Sequence, residues 1–258
     1  MIGIDLKGQR ALVCGSTRGI GRAIAFQLAT AGAGVTLFSR NEDALKKVQE
    51  SLPGKDHRAM VADFSNPAKL EELSADLISG HFDILVNNTG GPPPGLVNQA
   101  EWQDFEHAIT MHLRANHILM QYVVPHMKAQ RYGRIINIIS TSVRIPLVGL
   151  GVSNTVRGAV ASWSKTLANE LGAFNITVNN LLPGFIETQR LNQIISNKSS
   201  TKGISKEEVM KEMRQEVPMR RFGQPEEMGS IAAFLASPLA GYINGTSIPI
   251  DGGRTGSI

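Results

Sequence analysis

The sequence predicts a three-layer α/β fold built on a doubly wound parallel sheet, and three observations carry that expectation. Short apolar runs alternate with amphipathic stretches from one end of the chain to the other. The first run opens into a glycine-rich turn followed by a helical pattern. No change in composition marks a linker, and no repeat is evident. Alternation of this kind is the mark of βαβ units, whose strands are buried on both faces.

The bulk numbers fit that picture. The chain has 258 residues, 42% of them hydrophobic and 19% charged, enough for the core of a single domain spanning residues 1–258. The net charge is +4 with the basic residues scattered, which reads as a solvated surface rather than a nucleic-acid groove. One cysteine, Cys14, excludes a disulfide framework within the chain. No apolar run is long enough to span a membrane, and the first residues do not resemble a signal peptide. A reducing, cytoplasmic setting is the default expectation, with no membrane or nucleic-acid partner and no metal site.

Six strands are expected, at Ala11–Cys14, Val35–Phe38, Arg58–Ala62, Ile84–Val86, Ile135–Ile139 and Thr177–Leu182, each short and rich in Val, Ile or Leu. Ile20, Ala23, Ile24, Gln27, Leu28 and Ala31 form one helical face, ended by Gly32-Ala33-Gly34. Leu70, Leu73, Leu77 and Ile78 form another. Two longer helical patterns run over Gln99–Lys128 and Val152–Phe174. Residues 186–218 are the least regular stretch, centred on Asn197-Lys198-Ser199-Ser200-Thr201-Lys202-Gly203. Ligands of such folds sit beyond the carboxyl ends of the strands, so this segment is a candidate substrate lid, with a plain surface excursion as the alternative.

The turn after the first strand reads Gly15-Ser16-Thr17-Arg18-Gly19-Ile20-Gly21. Glycines here allow a tight turn and close backbone approach to a pyrophosphate, and the following helix offers N–H donors. The second strand ends in Ser39-Arg40, where an NAD site would place an acid for the ribose 2′-hydroxyl. A guanidinium suits a 2′-phosphate, with Arg18 as a second cation, so NADP is the expected cofactor.

These segments resemble the short-chain dehydrogenase/reductase family. Gly15, Gly19 and Gly21 match its glycine motif. Val61-Ala62-Asp63-Phe64 matches the stretch whose acid contacts adenine. Asn87-Asn88-Thr89-Gly90 matches its Asn-Asn-Ala-Gly motif, with Thr89 for alanine. Pro183-Gly184-Phe185-Ile186-Glu187-Thr188 matches the segment beside the nicotinamide, and Asp251-Gly252-Gly253 its C-terminal end. The branch of 3-oxoacyl-acyl-carrier-protein reductases is the most similar. The resemblance implies cofactor contacts at Gly15, Ser16, Thr17, Arg18, Gly19, Ile20, Gly21, Ser39, Arg40, Asp63, Phe64, Asn88, Thr89, Gly90, Pro183, Gly184, Ile186 and Thr188. It also implies a homo-oligomer, a tetramer or dimer, paired through 99–128 and 152–174, with a second contact near Ser247–Ile250.

The family's catalytic set is Asn, Ser, Tyr and Lys, and only the serine is kept. Alignment places His112, Ser140, Ser153 and Arg157 at the four positions. The chain has three tyrosines, Tyr122, Tyr132 and Tyr242, none near this helix. Arginine cannot relay protons as lysine does, and a serine hydroxyl is far less acidic than a phenol. His112 is the one group here expected to titrate near neutral pH, unless it only makes a structural hydrogen bond. Arg144 is a further cation after Ser140, facing an anionic substrate or merely lying at the rim. The Gly90-Gly91-Pro92-Pro93-Pro94 loop and the missing tyrosine resemble a divergent subgroup that adds hydride to a conjugated enone.

Three functions stay open at this level. The first is an NADP-dependent oxidoreductase with altered proton delivery, reducing a small carbonyl or enone substrate. The second is a nucleotide-binding, catalytically impaired family member with a regulatory or structural role. The third is a carbonyl reductase in which water, His112 or the substrate replaces the tyrosine.

Overall fold

The computed structural model describes residues 3–257. Its strands are β1 (Arg10–Cys14), β2 (Gly34–Ser39), β3 (Arg58–Val61), β4 (Ile84–Asn87), β5 (Gly133–Ile138), β6 (Ile176–Pro183) and β7 (Ser247–Ile250). They form one sheet in the order β3-β2-β1-β4-β5-β6-β7, every pairing parallel. The order reverses between β1 and β4, which opens a crevice at their carboxyl ends. β7 is an addition to the six expected strands. Its two-sided packing is incomplete, so its alternation is weak, but it pairs with β6 at Asn180↔Ser247 through Pro183↔Ile250.

Helices cover both faces. On one side, α1 (Gly19–Thr30), α2 (Glu42–Ser51) and α10 (Pro225–Ala236) pack Ile24, Leu28, Leu45, Met228 and Leu235 against Val13, Leu37 and Ile136. On the other, α3 (Pro67–Glu72), α4 (Ser74–Ser79), α6 (Ala115–Gln130) and α7 (Gly151–Leu171) pack against Leu12, Phe38, Leu85 and Val178. Each of these core side chains removes roughly 1.5–3 kcal/mol worth of apolar surface from water.

A row of three buried amides, continued by a half-buried serine, crosses the sheet near its carboxyl end. Asn87, Asn137, Asn180 and Ser247 are register partners on four neighbouring strands. Asn87 donates to Asn137 at 2.8 Å, Asn137 to Asn180 at 3.1 Å, and Asn180 to Ser247 at 3.1 Å. Asn137 also donates to Ser164 of α7 at 2.8 Å. Buried polar groups favour pairing, and in this ladder only Asn87 Oδ1 is left without a partner, so the ladder helps to fix the register of the strands that carry the site.

The helix expected over Gln99–Lys128 is two helices and a widened turn. A short turn at Val97–Gln99 precedes α5 (Trp102–Ile109), and Thr110–Arg114 then forms a π-type turn running into α6. Periodicity alone spans such a turn, because one extra residue shifts the face without breaking the pattern. The long helix expected over Val152–Phe174 is α7 followed by a 3-10 turn, Gly172–Phe174.

The stretch 186–218 is not irregular. It holds α8 (Gln189–Lys202) and α9 (Lys206–Gln215). The polar run that reads as a loop forms the last turns of α8, ended by Gly203 at φ 67. Thr188 caps α8, and Ser205 with Glu208 forms a capping box for α9. The two helices bury a small core of their own, Leu191, Ile195, Val209, Met213 and Phe222. Their neck is tied by Glu187 N–H to Gly223 O at 2.8 Å and Gly223 N–H to Phe185 O at 2.9 Å.

No helix among the described residues is long and apolar enough to cross a membrane. No His, Cys, Asp and Glu cluster that could hold a metal occurs among them.

Candidate active site

The glycine turn is shaped by contacts that admit no side chain. A Cβ on Gly15 would meet the Asn88 carbonyl at 2.5 Å, and one on Gly21 would meet the Gly15 carbonyl at 2.3 Å. Gly19 sits at φ 54. Arg18 precedes the first turn of α1, which has no side-chain cap and no acidic residue. Its N–H groups and positive dipole end therefore face the crevice without a protein acceptor, as an anion site requires. Thr17 and Ile20 line the same turn, and Thr188 Cγ2 comes within 3.2 Å of where a Gly19 Cβ would stand.

Several residues assigned to the cofactor spend their side chains on the fold. Ser16 is fully buried and accepts from Phe38 N–H at 3.0 Å. Phe64 lies in the core, edge-on to Phe38 with centroids 5.3 Å apart. Ile186 is buried in the neck of the α8–α9 unit. Asn88 clamps the glycine turn, donating to Cys14 O and Gly15 O, each at 3.2 Å. These residues leave only backbone, or position others. Pro183 ends β6, and Gly184 packs so tightly on Asp251 that a Cβ would lie 2.6 Å from the Asp251 Cβ.

At the end of β2, Ser39 and Arg40 stand at the rim. The Arg40 guanidinium is exposed, and its nearest acid is Asp63 at 3.8 Å. Asp63 is tied instead to Ser65, whose N–H and Oγ donate at 2.9 and 2.8 Å. Burial raises the Asp63 pKa, but these hydrogen bonds and Arg40 outweigh it and leave the carboxyl below its usual range. Burial pushes the Cys14 thiol far up, so it is inert.

The four positions of the catalytic set converge in part. Arg157 is the hub. Its Nε donates to Ser153 Oγ at 3.3 Å, and its Nη1 donates to Ile138 O at 3.2 Å and Ile139 O at 2.9 Å, at the end of β5 beside Ser140. Ser140 caps the short turn Thr141–Val143 and accepts from Ser142 N–H at 3.1 Å. Ser153 and Ser140 thus both act as acceptors toward the protein, and each keeps its O–H proton to donate. Burial, and then the nearby charge of Arg190, hold the Arg157 pKa down to about 10, so it remains a cation at neutral pH.

His112 is placed by the π-type turn and is buried. Its Nδ1 shares a hydrogen bond of 2.6 Å with the Thr89 hydroxyl. Burial, with the charges of Arg157 and His107, pushes its pKa down to about 3. The expectation that it titrates near neutral pH is thereby corrected: at pH 7 the ring is neutral. Of the two readings of Arg144, the structure agrees with a loop cation at the rim. Its Nη2 donates to Ser247 O at 3.2 Å, which ties its loop to β7.

Arg190 was not singled out by the sequence. It follows the Pro-Gly segment on α8 and reaches back to donate to Pro92 O at 3.1 Å. Its neighbour Gln189 accepts from Arg18 at 2.8 Å. The start of α8 thus bridges the glycine turn and the proline loop.

Comparison with known proteins places this geometry. A family model described as Enoyl-(Acyl carrier protein) reductase matches residues 15–255. The NADPH-dependent reductase BacG of Bacillus subtilis is 33% identical, over 96% of this chain and 98% of its own. The 3-oxoacyl-[acyl-carrier-protein] reductase FabG of Aquifex aeolicus is 35% identical over 97% and 98%. Among solved structures, YwfH, an NADPH dependent reductase involved in bacilysin biosynthesis, has a TM-score of 0.92 at 31% identity, covering 97% of this chain and 99% of that one. L-sorbose reductase from Gluconobacter frateurii, complexed with NADPH and L-sorbose, gives 0.92 at 28% over both full chains. Sheet order, glycine turn and relatives at over 30% identity along nearly the whole length agree: the chain belongs to the short-chain dehydrogenase/reductase family.

Proposed function

We propose that the protein is an NADPH-dependent reductase that saturates a conjugated enone rather than reducing a simple ketone. The observation that carries this reading is the state of the two serines. Ser140 and Ser153 are each held as acceptors and left with one proton to donate, the phenol of the family pattern is absent beside them, the His112 ring is neutral at pH 7, and Arg157 spends its Nε and Nη1 donors on Ser153 and the end of β5. Such a site can hold negative charge on oxygen but cannot quench it.

The residues present fit the cofactor. The glycine turn excludes side chains where a pyrophosphate would lie, the α1 N-terminus faces that space, and Arg40 offers an exposed fork at the ribose end. The relatives described as NADPH-dependent support the same choice. When bound, NADPH supplies a hydride from C4 of its nicotinamide. An enone that received a hydride at its β-carbon would carry the resulting charge on its oxygen, as an enolate. Ser140 and Ser153 hold the enolate oxygen, and Arg157 supplies fixed positive charge behind Ser153. A proton from water then adds at the α-carbon and completes the saturated ketone. A simple ketone would give an alkoxide, which needs an immediate acid that these residues do not offer.

His112 is read as a neutral positioning group, with Thr89, rather than as the acid. The α8–α9 unit is read as the lid, with Arg190 and Gln189 as its contacts across the crevice. We read the protein as a cytoplasmic homotetramer paired through α5–α6 and α7. The exposed Trp102 at the start of α5 supports that pairing, and a solution mass of one chain would overturn it.

Single-turnover oxidation of bound NADPH on an enone, a ketone and an imine tests the reading. Oxidation on the enone is expected to outpace the ketone by at least about a hundredfold, the usual contribution of a general acid. Equal rates would overturn it, and no oxidation on any of the three would favour a nucleotide-binding member without catalysis.

A further inference from the structure

The glycine turn and the α8–α9 unit are joined at two neighbouring points. Arg18 Nη1 donates to Gln189 Oε1 at 2.8 Å, between residues 171 positions apart in the chain. The adjacent residues meet as well, since a Cβ on Gly19 would lie 3.2 Å from Thr188 Cγ2. Both contacts stand beside the uncapped N-terminus of α1, where this fold holds a pyrophosphate.

Each end of the Arg18–Gln189 bond is anchored in a regular element. Arg18 occupies the cap position of α1 in extended backbone, with φ -159 and ψ 168. Gln189 is the first residue of α8, directly after Thr188, whose Oγ1 accepts from Leu191 N–H at 3.4 Å. α8 packs on α9 through Leu191, Ile195, Val209 and Met213, so Gln189 is fixed to the whole unit.

The two cations expected at the 2′-phosphate therefore have different surroundings. Arg40 stands at the end of β2 with Asp63 loosely beside it at 3.8 Å. Arg18 makes no ion pair among the described residues, and Gln189 is the one acceptor its side chain finds among them. An amide oxygen accepting from a guanidinium makes a charge-assisted bond, stronger than one between neutral groups.

We propose that Arg18 and Gln189 form a strap at the phosphate end of the cofactor crevice: their bond opens to admit the nucleotide, re-forms once it is seated and slows its release. Arg18 then serves closure rather than the choice between NADPH and NADH, and Gln189 is a positioning residue that acts through it. Resting on the lid role given to α8–α9 above, the strap is the contact that holds that lid down. A cation committed to the 2′-phosphate would matter only to the nucleotide that carries it. A strap beside the pyrophosphate, which both nucleotides share, matters equally to the two.

Stopped-flow release separates these roles. The protein is loaded with NADPH or NADH and mixed with a large excess of NADP+, and the loss of nicotinamide fluorescence gives the release rate. Gln189→Ala is expected to speed release of both nucleotides by the same factor, about three- to fivefold, as for other contacts of an exposed charge. Association should stay level or rise, because entry needs the bond open. Arg18→Met is expected to speed release of both nucleotides alike, and to add less in the Gln189→Ala background than in the parent, the mark of a coupled pair. Both side chains are exposed, so neither change removes a core contact. Unchanged release from Gln189→Ala overturns the proposal. So does an Arg18→Met protein that weakens NADPH alone, which would return Arg18 to the 2′-phosphate, and so do effects of the two changes that simply multiply. Failure of the lid role would look different: Gln189→Ala would still speed release, while NADPH would leave amide hydrogen exchange over 189–215 of the parent unchanged.

Discussion

The Thr89 hydroxyl and His112 Nδ1 lie 2.6 Å apart, joining the loop after β4 to the π-type turn ahead of α6. The family pattern has alanine and asparagine at these two positions. The exchange is paired in space: the larger ring of His112 is turned inward, and Thr89 supplies the partner that a buried ring nitrogen requires. His112 is pushed down to about 3 chiefly by burial, so folding favours its neutral form.

A dependence of stability on pH follows. The unfolded His112 binds a proton below about pH 6.5 while the folded one does not, so stability falls as pH drops through the window between about 6.5 and 3. Between pH 7 and pH 5 this amounts to about 1–2 kcal/mol. His112→Asn removes the titration but keeps a polar side chain. The drop in melting temperature from pH 7 to pH 5 is expected to be smaller in the variant. Equal drops in the two proteins would mean that His112 is not held neutral by the fold.

In the proposed cofactor site, Arg40 is the residue expected to set the choice between NADPH and NADH. It is exposed, and its ion pair with Asp63 is loose at 3.8 Å, so its fork is available to a 2′-phosphate. Arg40→Asp is expected to weaken NADPH by about 10- to 100-fold, the worth of one charge-assisted contact, and to leave NADH nearly unchanged. Fluorescence titration of both nucleotides checks this. Equal affinities in the parent protein would remove Arg40 from the phosphate site.

The parts of the molecule differed in how legible they were. Strands buried on both faces are continuous apolar runs, so β1, β2, β4, β5 and β6 stand out, each within a residue or two of its observed ends. α8 was illegible because its solvent face is a run of Asn, Lys, Ser and Thr, and its buried side is only Leu191 and Ile195. The glycine turn was legible because close backbone approach leaves a residue-type signature. The convergence of Arg157 with Arg190 was not, since 33 positions separate them and the fold alone brings them together. The neutral state of His112 was hidden for the same reason: a pKa is set by burial, and burial of a polar residue in a helix leaves no pattern in the chain.

The lid role proposed for the α8–α9 unit can be tested directly. The small core of the unit is separate from the two cores that flank the sheet, and its neck is held by a pair of backbone hydrogen bonds. Units with few contacts to the main core open at lower free energy than the sheet. If the start of α8 closes over NADPH as proposed, the nucleotide is expected to slow amide hydrogen exchange over 189–215 several-fold more than over β4 and β5. Exchange unchanged by NADPH would make the unit a surface excursion.

Restoring the missing phenol is the sharpest test of the chemistry. Ser153 and Arg157 are one helical turn apart, and the arginine is bonded both to Ser153 and to the end of β5. Tyrosine at 153 would bring an acid of pKa about 10, and lysine at 157 a compact ammonium to lower it. Ser153→Tyr with Arg157→Lys is therefore expected to raise reduction of a simple 3-oxo ester by about 100-fold, the lower end of what a positioned general acid contributes. Neither change alone should do so: the tyrosine alone meets an arginine locked onto Ile138 and Ile139, and the lysine alone has no phenol to tune. Ser153 is buried, so the ring must find room, and circular dichroism with a melting curve would show whether the double variant folds. Reduction of the enone should fall or stay level, because hydroxyl donors suited to a spread enolate are exchanged for an acid suited to an alkoxide. A parent protein that already reduces the 3-oxo ester at about 10 per second, a typical enzyme rate, would show that the phenol is dispensable and that the enone reading is wrong.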